Sequence, residues 1–170
     1  MVRPILTFEH PVLREKAKKV PRIDASIQRL LDDLTETMLD APGAGLAANQ
    51  IGVALRVCVV KGDDKQIWGL VNPEIVKTDG TQVGPEGCLS YPGWVGEVER
   101  AETVVVKGRN RRGKEIRVKS SGFTARAFQH EIDHLDGILF TDRLTSLDTL
   151  QRVEDLPADE KEEAVAAASG

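Results

Sequence analysis

A chain of 170 residues has the length of one ordinary domain and can bury a sizeable core. Its apolar (41%) and charged (29%) fractions are those of a globular protein, which excludes wholesale disorder. A net charge of −4 argues against a dedicated nucleic-acid binder, so no DNA partner is expected.

The N-terminal Met1-Val2-Arg3-Pro4-Ile5-Leu6 leads into charged sequence without the apolar core of a signal peptide, and no run approaches membrane-spanning length. Two cysteines, Cys58 and Cys88, are too few for a disulfide framework. A cytoplasmic protein with reduced thiols and no membrane partner is therefore expected. Up to Val20 the chain mixes prolines with a basic cluster from Arg14 to Lys19 and reads as extended chain wrapping the surface, with His10 an ordinary surface histidine.

From Asp24 the pattern becomes helical. Ile27, Leu30, Leu31, Leu34 and Met38 recur at three- and four-residue spacing, Asp24 or Ser26 can cap the start, and Pro42-Gly43 ends the run. Next comes Gly43-Ala44-Gly45-Leu46-Ala47-Ala48-Asn49-Gln50-Ile51-Gly52, small residues that permit a close approach and one long amide able to donate into a cleft. The glycine pattern matches no phosphate-binding loop, and a tight structural turn is the other reading.

Strands are expected over Val53 to Val60 and Ile67 to Val71, with Asn72-Pro73 breaking the run before Glu74-Ile75-Val76. Cys58, among valines, reads as core. The stretch Val83 to Gly93 reads as a loop whose glycines and prolines shape the backbone around Cys88 for something other than packing. Glu97 to Lys107 and Glu115 to Lys119 read as a hairpin turned by Asn110-Arg111-Arg112-Gly113, its basic tip a solvated turn.

A second helix is expected around Gln129-His130-Glu131-Ile132-Asp133-His134, capped by Thr124 and stopped at Asp136-Gly137. In a helix His130 and His134 stand one turn apart on one face with Glu131 beside them, a metal site with a base attached. Past it, Ile138-Leu139-Phe140 is a short apolar run and Arg143-Leu144 closes the fold. Beyond Ser146 an acidic, weakly helical or disordered tail is expected.

Two histidines leave a metal under-coordinated, because catalytic sites generally use three protein ligands plus water. On the residues alone the third ligand is either Cys88, on its special loop, or Glu154, downstream, as in helix-based metallopeptidases. A structural zinc with a closed fourth position is a further alternative.

Three blocks taken together resemble the signature motifs of the peptide deformylase family: Gly43-Ala44-Gly45-Leu46-Ala47-Ala48-Asn49-Gln50, Glu86-Gly87-Cys88-Leu89-Ser90 and Gln129-His130-Glu131-Ile132-Asp133-His134. Their order and spacing agree, Pro11-Val12-Leu13-Arg14 resembles the family start, and the similarity runs from about Ile5 to Leu144. The resemblance implies an α+β fold, antiparallel β-sheets packed around a central helix that carries the HExxH motif. It implies a catalytic domain over residues 1–146, followed by the tail at 147–170.

By the same resemblance, Cys88, His130 and His134 bind one divalent metal with water as fourth ligand. Glu131 is general base and then acid, while the Gln50 side chain and the Leu89 backbone N–H hold the oxyanion. Gly43, Ala44 and Gly45 would pair with an extended peptide, and Ala44 departs from the larger aliphatic residue common at that position. The implied reaction removes the formyl group from the N-terminal formyl-methionine of nascent polypeptides, and leaves room for a transient ribosome contact. Fe2+ is the typical metal of the family, although a Cys-His-His site also suits Zn2+, Ni2+ and Co2+.

Overall fold

The computed structural model describes residues 1–168. Among them are eight strands, β1 (Gly45–Ala47), β2 (Val57–Lys61), β3 (Ile67–Asp79), β4 (Gln82–Cys88), β5 (Tyr91–Arg100), β6 (Thr103–Arg109), β7 (Glu115–Ser121) and β8 (Gln151–Arg152). Three α-helices accompany them: α1 (Ala25–Asp40), α2 (Gly122–Leu135) and α3 (Ala158–Ala168). The strands form a five-stranded sheet in the order β1-β2-β3-β6-β7 and a three-stranded sheet in the order β4-β5-β8, with every pairing antiparallel. The fold is α+β with α2 at its centre. No helix among the described residues is long and apolar enough to cross a membrane.

The larger sheet is covered on both faces, and β2 shows how the sequence specifies this. Successive residues point to opposite faces. Val57 and Val59 therefore meet Leu30, Leu31, Leu34 and Met38 of α1, while Cys58 and Val60 meet Phe128, Ile132 and Leu135 of α2. A strand buried on both faces reads as an unbroken apolar run. Asp24 caps α1, as expected, by accepting the Ile27 N–H at 3.1 Å.

Several boundaries differ from the sequence reading. The strand expected from Val53 begins at Val57, because Val53 to Arg56 is taken up by the N-terminal segment: Lys18 N–H donates to Ala54 O and Arg56 N–H to Lys18 O, each at 2.9 Å. Asn72-Pro73 does not end β3. Asn72 takes a left-handed conformation (φ 53°) and clasps Val20 through both its amide atoms, producing an irregularity that the strand survives.

The expected loop around Cys88 is a hairpin, with β4 running directly into a turn at Leu89-Ser90 and back along β5. Pro85 is tolerated because β4 is an edge strand. The single strand expected over Glu97 to Lys107 is divided at Ala101-Glu102, where the chain passes from the smaller sheet to the larger. The turn from Asn110 to Gly113 joins β6 to β7 as expected.

The segment before Val20 is more than surface wrapping. It buries Val12, Leu13, Ala17 and Val20, and His10 caps a short 3-10 turn at Pro11–Arg14 through its Nδ1. Thr124 lies inside α2 rather than at its cap, its hydroxyl accepting from Asp63 N–H at 3.1 Å. Past Ser146, β8 pairs with β5, Arg152 lies 5.2 Å from the centre of the Trp94 ring, and α3 packs on β4 and β5 with Ala164 and Ala167 buried.

Candidate metal centre

Cys88 ends β4, and His130 and His134 lie one turn apart on α2. The antiparallel hairpin and the helix together bring the Cys88 Sγ to 3.2 Å from His134 Nε2, which lies 3.1 Å from His130 Nε2. All three donors are buried and lie within 4.8 Å of one another. Tetrahedral coordination with ordinary Zn–N and Zn–S bonds would separate its ligand atoms by roughly 3.3–3.7 Å, so this cluster fits one ion. Among the described residues no other group of metal-binding side chains converges in this way.

The alternative ligand Glu154 is elsewhere. It sits on the exposed turn Val153–Asp155 beside Arg152, its side chain 72% exposed. His10 is likewise exposed.

A metal-binding histidine commonly engages its other ring nitrogen, which fixes both tautomer and ring orientation; among the described residues His130 does so and His134 Nδ1 has no partner. For His130 that partner is Glu86, whose Oε1 lies 2.6 Å from Nδ1, leaving Nε2 to face His134 in the donor cluster. Glu86 is buried, yet its carboxyl is held well below the ordinary range: the burial penalty is outweighed by hydrogen bonding and charge from His130 and Arg100. Arg100 grips Glu86 through Nε (3.1 Å) and Nη2 (2.5 Å), and Arg126 adds a contact at 2.7 Å. The backbone of His134 is tied separately, its carbonyl accepting from Asn49 Nδ2 at 2.5 Å.

Glu131 is different in kind. It is fully buried, and neither carboxylate oxygen has a hydrogen-bond partner among the described residues. Burial pushes its carboxyl up to about 8. Its side chain lies against Gly45, where a Cβ would stand 2.4 Å from Oε2, closer than real Cβ atoms approach. The missing side chain at Gly45 of the first block thus makes room for Glu131.

The same block supplies Gln50 from the 3-10 turn Ala48–Ile51. Its Oε1 accepts from Ala47 N–H at 2.9 Å, so its Nε2 is the atom turned toward Ser90 Oγ (3.0 Å) and Cys88 Sγ (3.7 Å). Leu89 follows Cys88 in the turn between β4 and β5. The N-terminal segment joins these two loops, with Leu6 N–H donating to Gln50 O and Phe8 N–H to Ser90 O, both at 2.8 Å.

Residues 2–150 match the family model described as Polypeptide deformylase. The chain belongs to the peptide deformylase family. A peptide deformylase of Dehalococcoides mccartyi is 52% identical over 165 residues, covering 96% of this chain and 98% of that one. The solved peptide deformylase of Thermotoga maritima superposes with a TM-score of 0.82 at 39% identity, covering 86% and 99% of the two chains. A peptide deformylase of Acinetobacter baumannii solved with bound Met-Ala-Ser gives 0.79 at 35% identity, covering 85% and 99%.

Membership in the deformylase family and the Cys88-His130-His134 cluster together indicate an enzyme with a single metal ion. Sequence reasoning assigned no role to Glu86, Arg100, Arg126, Asp133 or Asn49. For Glu86 a signal existed: it stands two residues before Cys88, so in a strand both point to the same face. For the others the contacts are long-range and left no local trace.

Proposed function

We propose that Cys88, His130 and His134 hold the metal, and that Glu131, Gln50 and Leu89 act with it in removing the formyl group from the N-terminal formyl-methionine of newly synthesised polypeptides, releasing formate. The observation that carries this reading is the meeting of three buried donors from β4 and α2.

A formamide is resonance-stabilised and a poor electrophile. A divalent ion supplies Lewis acidity there, lowering the pKa of water so that a strong nucleophile exists at neutral pH. Glu131 takes the proton of the attacking water and returns it to the departing amine, which leaves poorly without it. Its burial raises its proton affinity, and with a divalent ion held by the adjacent His130 and His134 it would stay ionised until it accepts that proton.

Negative charge grows on the formyl oxygen as the carbon becomes tetrahedral. The Nε2 of Gln50, oriented by the Ala47 N–H, and the N–H of Leu89 are the donors we assign to that oxygen. Gly43, Ala44 and Gly45 receive the peptide backbone. Support comes from β1 being an outer strand of its sheet, with β2 its only neighbour among the described residues, which leaves an edge for strand addition. The methionine-first peptide bound to the Acinetobacter baumannii enzyme agrees with a substrate of that class.

Fe2+ is the metal we assign, with Zn2+, Ni2+ and Co2+ suited to the same donors. The working location is the cytoplasm, where nascent chains emerge and a transient ribosome contact would deliver them. All the residues named here precede Ser146, which supports residues 1–146 as the catalytic unit and 147–170 as an appended tail.

The test is to reconstitute the protein with each of these metals and supply N-formyl-methionyl and N-acetyl-methionyl peptides, measuring formate, acetate and free amine. Formate and amine are expected from the formyl peptide, with far slower release from the acetyl one. No formate with any metal would overturn the proposal.

A further inference from the structure

The ligands proposed for the metal come from two elements, Cys88 from β4 and both histidines from α2, so their convergence depends on how a hairpin and a helix are fixed to each other. Arg100, at the end of β5, is the joint. While its Nε and Nη2 hold Glu86 of β4, its Nη1 holds Asp133 Oδ2 of α2 at 2.6 Å. Asp133 stands three residues after His130, so the two are neighbours on the helix surface.

Arg143 holds Asp133 as well, its Nε 2.5 Å from Oδ2, the oxygen it shares with Arg100, and its Nη2 2.9 Å from Oδ1. Arg143 lies on the short turn Phe140–Arg143. The same turn carries Phe140, whose ring stacks at 26° beside that of His130 with centroids 6.5 Å apart. Asp142 of this turn is in turn bound by Arg14 of the N-terminal segment. A contiguous ladder therefore runs from His130 through Glu86, Arg100 and Asp133 to Arg143, whose side chain is 45% exposed.

We infer that Arg143 is a positioning residue for the metal site, acting through Asp133 and Arg100 to fix α2 against the β4–β5 hairpin; this rests on the proposed ligand set. Its contribution is directional rather than a matter of charge balance. Glu86 and Asp133 are already matched by Arg100 and Arg126, so Arg143 adds a third guanidinium to a balanced group. Arg100 reaches Asp133 through one nitrogen and by itself leaves that carboxylate able to turn, whereas the planar two-nitrogen fork of Arg143 on both oxygens leaves it a single orientation.

The experiment compares wild type with Arg143→Ala and Arg143→Lys, each loaded with Co2+. It measures affinity by chelator competition, the visible absorption of the thiolate-bound ion, and the thermal midpoint of the metal-free protein. Removal of a group that directly supports a ligand typically weakens metal binding about 10–100-fold, and for this more distant one a loss of about 3–10-fold is expected in Arg143→Ala. The absorption should shift with it, and added guanidinium ion should restore both. Arg143→Lys keeps the charge but loses the fork, so it should resemble Arg143→Ala.

Unchanged affinity and absorption in Arg143→Ala, or a loss confined to the thermal midpoint, would overturn the inference. Full wild-type behaviour in Arg143→Lys would overturn its directional character. Wild-type protein that takes up no Co2+ would instead overturn the ligand assignment beneath it.

Discussion

On one face of α2, Ala125, Phe128, Ile132 and Leu135 meet Cys58, Val60, Leu70, Val104, Val106 and Val118 of the five-stranded sheet. On the other, Arg126, His130, Asp133 and His134 meet Glu86, Cys88 and Arg100 of the smaller sheet. Both faces are buried. The first gains from burial without needing direction, because the hydrophobic effect scales with area. The second must recover the desolvation of every charge through geometry, and its carboxylates and guanidiniums are accordingly joined at 2.5–3.1 Å.

The two cysteines make the same contrast with one residue type. Cys58 lies on the apolar side, where burial pushes its thiol far up from the ordinary value and keeps it protonated. Cys88 lies on the polar side within reach of an imidazole and an amide. Environment, not residue type, separates a core filler from a proposed ligand.

Breaking the apolar side should cost stability and spare the site. Phe128→Ala removes one of the largest fully buried side chains and is expected to destabilise the protein by about 3–5 kcal/mol, read by urea unfolding. Metal binding by the fraction that remains folded should be retained. A smaller change on the same side sharpens the contrast between the cysteines: Cys58→Ala should lose about 1 kcal/mol in the same assay and bind metal at the wild-type stoichiometry. A lost metal site in Cys58→Ala would erase the distinction between the two faces.

The legible parts of the sequence were those whose signals are local. Helix α1 announced itself by periodicity and by Asp24, and the proposed ligand pair on α2 by its one-turn spacing. Strand β4 was concealed because Gly84, Pro85 and Gly87 disfavour strands, and only pairing with β5 overrides them. The division of β5 from β6 was equally hidden. It depends on Gln129 of α2, which accepts the Ala101 N–H and donates to the Ala101 carbonyl, a contact set by tertiary packing. Even Gly45 was legible only in part: its smallness could be read, but what it makes room for could not.

That guest is Glu131, fully buried and without a hydrogen-bond partner among the described residues. The most direct measurement of the account is metal content and formate release for Glu131→Gln beside wild type. Replacing the carboxylate by an amide of the same shape should leave metal stoichiometry unchanged and lower turnover about 10²–10⁴-fold. Turnover close to wild type in a fully metal-loaded Glu131→Gln protein would contradict the assignment of Glu131 as the group that moves the proton.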